Sequence, residues 1–131
     1  MFKRYFKNQK GLTLIELLAV IVILGIIAAI AVPAIGNVIE KSRQDAVHAD
    51  AVQVLNAAKL YVAAEAPKAS ITFDNKGNTD PTDGLGDFLD NIETYSITIT
   101  VSNGSYSYTD IEVTKDGRSV DYDNEADLLA E

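Results

Sequence analysis

Residues 9–40 read QKGLTLIELLAVIVILGIIAAIAVPAIGNVIE. Basic side chains stop at Lys10, Gly11 follows, and a long apolar run then holds one acid, Glu16, near its start. Residues 17–39 carry no formal charge. As an α-helix that segment would span ~35 Å, enough to cross a bilayer core of about 30 Å. A plain anchor explains the length but not Glu16. A carboxylate deep in a membrane helix costs a few kcal/mol, and less near the end where Glu16 lies. A conventional export signal explains the basic start, the apolar centre and the small residues Ala29 and Ala31 ahead of a cut after Ala31. It too leaves the acid without a purpose. An ionisable group in such a run is a functional candidate once a partner for it can be named.

Charge is segregated around this stretch. Lys3, Arg4, Lys7 and Lys10 precede Gly11 and no acid does, which predicts that this end stays in the cytoplasm. Beyond Gly11 the balance is −12, against −8 for the whole chain. An acidic body of this kind repels phosphates, so the sequence gives no strong nucleic-acid signal. The absence of cysteine excludes disulfides and thiolate metal sites. There is no phosphate-binding glycine loop, no cysteine nucleophile and no second histidine beside His48, so no enzyme signature stands out.

The run Gly11-Leu12-Thr13-Leu14-Ile15-Glu16-Leu17-Leu18 resembles the prepilin processing site of type IV pilins and pseudopilins. The shared pattern is a short basic leader, a glycine, an apolar start to the mature chain and a glutamate five residues past the cut. Leu12 departs from it, since the family usually places phenylalanine there. The resemblance implies that a prepilin peptidase cuts between Gly11 and Leu12 and that Leu12 is N-methylated. It further implies that Glu16 meets the N-terminal amine of a neighbouring subunit during assembly. Two unlike charges in low dielectric attract strongly, and a subunit lacking its partner leaves the acid unpaired. Gly25 and Pro33 resemble the family's helix-breaking positions. Proline removes one helix hydrogen bond and glycine lowers propensity, so a kink or a segment able to melt is expected there.

Helical character continues beyond the apolar run. Val47, Ala51, Val54, Ala58 and Tyr61 recur at spacings of four and three, one face of a helix that ends at Pro67. His48 sits off that stripe and reads as a solvated residue. A helix from Leu12 to about Ala66 would run ~80 Å, more than a compact domain of this size can bury, and so argues for assembly independently. Residues 67–93 read as a connecting loop, with turns near 75–78 and 80–84 and a short helix about 87–92. The period then becomes two. Residues 94–102 (TYSITITVS), a second strand from Tyr106 to Val113 and a third from Arg118 to Asp123 form a three-stranded antiparallel meander. Asn103-Gly104 and Asp116-Gly117 supply its turns, with a bulge near Thr109-Asp110.

The expected organisation is a leader at 1–11, a transmembrane and filament-core half-helix at 12–39, and a body at 40–131. The body comprises helix 40–66, loop 67–93, sheet 94–123 and tail 124–131. The fold class is α+β, a long N-terminal helix packed by its second half on the sheet. Two acidic clusters are candidate calcium sites, with Asp80, Asp83 and Asp87 in the loop and Asp121 and Asp123 near the end. Some major pseudopilins carry calcium in such a loop. The second cluster lacks the EF-hand glycine, its sixth place being Ala126, and both read equally as solvated acidic surface. No other cofactor is expected. The function expected is that of a structural subunit, a major pilin polymerised from the membrane. Its partners would be copies of itself, prepilin peptidase, the lipid bilayer, and the membrane assembly platform with its ATPase motor. Its location would be the cytoplasmic membrane and then an extracellular pilus or envelope-spanning pseudopilus. The alternatives are a major pseudopilin of type II secretion or competence DNA uptake, and an anchored or secreted binding domain.

Overall fold

A computed structural model describes residues 2–75, 84–89 and 91–130, the side chains of 2–12 and of 87 excepted. The chain divides into two compact units between Lys41 and Ser42.

The first unit is helix throughout its described residues, as part of α1 (Phe2–Glu65). This helix starts ten residues before Leu12, where its beginning was expected, because no proline or glycine precedes Gly11. It passes through Pro33 without ending. Its large apolar side chains are exposed, Leu14 at 68% and Ile30 at 70%. It is the one helix among the described residues long and apolar enough to cross a membrane.

The second unit holds the remainder of α1 and an antiparallel sheet of four strands in the order β1-β2-β3-β4. They are β1 (Ile71–Asp74), β2 (Thr94–Ser102), β3 (Ser105–Lys115) and β4 (Arg118–Asn124), followed by the short helix α2 (Glu125–Leu129). The expected stripe on α1 is the buried one. Val47, Ala51, Val54 and Ala58 are buried and Tyr61 is half-buried, with Leu55, Ala57 and Val62 widening the stripe. In the same core lie Phe73, Tyr95, Ile97, Ile99, Tyr108, Ile111 and Val113 from the sheet, with Leu85 and Leu128. Alternation leaves a hydroxyl-rich outward face. Thr72, Thr94, Ser96, Thr98, Thr100, Ser107 and Thr109 occupy it, and the Oγ1 atoms of Thr72 and Thr98 lie 3.1 Å apart.

Both two-residue turns form as expected. Asn103 and Gly104 have φ of 51° and 77°, and Asp116 and Gly117 have 51° and 73°. Two successive left-handed residues match the right-handed twist of the flanking strands. The bulge falls at Asp110 (φ 53°), where two residues of β3 oppose Ile97 of β2. That extra residue returns Ile111 and Val113 to the core face.

Three expectations need correction. The sheet has four strands, because Ile71–Asp74 pairs with β2 along Ile71↔Ile99 to Asp74↔Ser96 inside what reads as loop. Four residues are too few for a period of two to register, and pairing rather than pattern makes this strand. The C-terminal tail contains α2, where the Asn124 side chain accepts from the Asp127 N–H at 3.1 Å and Leu128 is fully buried. The short helix expected about 87–92 is a 3-10 turn at Gly86–Phe88. The turn signals at 76–83 lie outside the described residues.

Candidate processing and assembly site

The site is built on one helix. Gly11 and Leu12 lie within α1, and Glu16 follows Leu12 by four residues, on the same face and a rise of ~6 Å along the axis. The side chain of Leu12 lies outside the described residues. Glu16 is exposed, with Ile15, Leu17 and Leu18 exposed around it. Among the described residues no basic side chain pairs with it. Cutting the peptide before Leu12 would give the helix a new N-terminus. That end carries a free amine, four N–H groups without helical acceptors and the positive end of the helix dipole. A carboxylate one turn away, or one from another copy, is the natural complement.

Gly25 and Pro33 both sit inside the continuous helix. A Cβ built on Gly25 would meet nothing within 4 Å, and Gly36 is the same. Among the described residues nothing packs closely enough to require glycine at either place.

The calcium candidates divide. Asp80 and Asp83 lie outside the described residues, as does the side chain of Asp87. Asp121 and Asp123 are exposed on the outward side of β4. Among the described residues, no three acidic or histidine side chains come together in a group able to hold a metal ion.

In the second unit, sequence reasoning missed three polar clasps that tie α1 to β3, β4 and α2. Asp50 accepts from Lys115 at 2.8 Å, and Lys59 pairs with Glu125. His48 is half-buried rather than solvated, with Nδ1 2.8 Å from the Tyr122 hydroxyl and the two rings edge-on. Helical spacing marks His48 as off the apolar stripe. It carries no information about which distant element would supply a partner. The hydrogen bond to Asp50 raises the Lys115 pKa above its ordinary 10.5. Burial raises that of Tyr108 above 10.0, partly offset by Lys59 nearby.

A family model described as the prokaryotic N-terminal methylation motif matches residues 6–32. That motif is the signature of type IV pilins and pseudopilins, and its span covers Gly11, Leu12, Glu16 and Gly25. Together with the apolar part of α1 it fits a membrane-anchored, pilin-like protein. No curated protein and no solved structure matches the chain.

Proposed function

For a chain bearing the N-terminal methylation motif, we propose the role of structural subunit, a major pilin, in a type IV pilus-like filament. The observation that carries this is the coincidence, within residues 6–32, of the motif with an exposed apolar helix containing an exposed acid. Prepilin peptidase cuts between Gly11 and Leu12 on the cytoplasmic face, and Leu12 becomes the N-methylated first residue. The mature subunit waits in the bilayer, where lipid covers the apolar side chains of α1. In the filament, sister helices replace the lipid. Glu16 pairs with the new amine of a neighbour and so selects register, because an out-of-register copy leaves a charge unpaired in low dielectric. Gly25 and Pro33 weaken the helix between them and let it extend on leaving the bilayer.

Mass spectrometry of the mature N-terminus tests the processing step. The expected result is a chain starting at methylated Leu12. A start at Val32 or an intact leader in cells with active peptidase rejects it. Glu16→Ala is expected to leave cleavage intact and to abolish filaments by electron microscopy. Normal filaments from that variant reject the assembly role.

A further inference from the structure

α1 runs unbroken from Phe2 to Glu65 and so passes straight through the Gly11–Leu12 bond. In an α-helix each N–H bonds to the carbonyl four residues earlier. Four such bonds bridge this one peptide link, from Leu12, Thr13, Leu14 and Ile15 back to Asn8, Gln9, Lys10 and Gly11. The Gly11 carbonyl is thereby engaged by the Ile15 N–H, and the Leu12 N–H by the Asn8 carbonyl. Hydrolysis adds one water across the bond, leaving a carboxylate on Gly11 and an ammonium on Leu12. A peptidase must bring an oxygen nucleophile onto the Gly11 carbonyl carbon, hydrogen-bond the oxyanion that develops and protonate the departing nitrogen. The helical turn holds both of those atoms in its own bonds.

The helix is also weak where that bond lies. Gly11 is the first glycine of α1, and Asn8 and Thr13 on either side are poor helix formers. Lys3 and Lys7 stand four residues apart, and Lys7 and Lys10 three, spacings at which like charges destabilise a helix. The first turn holds no acid, and Lys3 and Arg4 stand instead at the end of the dipole that disfavours cations. From Leu14 to Leu24 there is neither glycine nor proline. The turn around the cut is therefore the part of this region that opens at least cost.

We propose that the helical turn from Asn8 to Ile15 must open before the cut, and that Asn8 and Gln9 set how readily it does so. This rests on the processing reading of Gly11 and Leu12, and it gives the leader a rate-setting role beyond its charge. The open turn presents the bond as extended backbone, with both faces of the peptide plane bare and the Gly11 carbonyl turned to the enzyme's donors. Asn8 and Gln9 supply the carbonyls that hold Leu12 and Thr13 in the closed turn, so their own helix propensity enters the opening equilibrium directly. The value of kcat/KM is measured from free enzyme and closed substrate. It therefore includes the cost of opening, whether the enzyme selects the open turn or pulls the closed one apart. The same four N–H groups lose their helical acceptors for good once the leader departs.

Full-length Asn8→Ala/Gln9→Ala and Asn8→Gly/Gln9→Gly chains, cleaved in detergent by a prepilin peptidase, test this. Both pairs keep the charge and remove the same two polar side chains, so the loss of a recognised side chain would affect them alike. They differ by two exchanges of alanine for glycine within the helix, together worth about a 15- to 30-fold change in opening. The glycine pair is expected to exceed the alanine pair in kcat/KM by that factor, with the unaltered chain between them. Without enzyme, the Leu12 amide is expected to exchange with deuterium in the same order. Equal kcat/KM for the two pairs, or a higher value for the alanine pair, with the cut still before Leu12, overturns the proposal and leaves the processing reading standing. Different kcat/KM with equal amide exchange overturns it as well, since opening is then not the cause. Loss of the cut in both pairs but not in the unaltered chain shows that the peptidase reads the side chains, and also overturns it. Absence of the cut in all three chains overturns the proposal and the processing reading together.

Discussion

Ala66 ends α1 with φ of 44°, a left-handed conformation that costs an L-residue and suits glycine. Its N–H still reaches the Val62 carbonyl at 2.9 Å, so the hydrogen bond holds the residue there. Ala66→Gly is expected to raise the stability of the second unit by about 0.5–1 kcal/mol in urea unfolding. Gly104→Ala is the converse. A Cβ there meets nothing within 4 Å, so the loss of about 1 kcal/mol expected in the same assay is a backbone cost alone. Asn103-Gly104 is legible in sequence because a type I′ turn demands those residue types. Ala66 is not, since only the trajectory imposed by Pro67 and β1 puts an alanine in that conformation.

Among the elements, β2 carries the core. Ile97 and Ile99 are fully buried at its centre, and Ile97→Ala is expected to cost about 2–5 kcal/mol by chemical denaturation. The Asp50–Lys115 clasp and the buried Tyr108 act differently, through protons. Lys115 and Tyr108 both hold their protons more tightly in the folded chain than in the unfolded one. Their contribution is fully present below the unfolded pKa values near 10. It is lost as pH rises through the folded values, because the unfolded chain gives up its protons first. Unfolding free energy should therefore fall as pH rises above the ordinary values of 10.0 and 10.5, and Asp50→Asn should flatten that fall. Unchanged curves for the two proteins would remove Asp50 as the cause. The meander from Thr94 onward was readable because long strands repeat their pattern and Asx-Gly turns punctuate them. β1 and α2 were not, being four and five residues long and held by what they pair with or bury, Ile99 for one and Leu128 for the other.

At the scale of the molecule, the proposed processing would alter the charge. Removal of residues 1–11 would take away four basic side chains and leave a balance of −12 on the side chains, so copies repel one another as they gather. Raising ionic strength from about 0.01 to 0.15 M shortens the screening length from ~30 to ~8 Å. Sedimentable polymer should rise over that range, and a fall would mean that attraction between unlike charges dominates the contacts. The N-terminal methylation motif was readable because it is one short contiguous stretch. That Ser105–Tyr108 of β3 pair with β2 and not with β4 was hidden, because it depends on where β4 stops pairing. The outward row of β2 has a consequence of another kind. Thr94, Ser96 and Thr100 alternate with the core residues of the same strand and lie outside the core, as does Thr98, whose hydroxyl meets that of Thr72. Substitutions there should stay within about 0.5 kcal/mol, while their neighbours in sequence tolerate almost nothing. That row can be rewritten by drift, or by a designer seeking a place for a label, while the interior that specifies the fold stays unchanged.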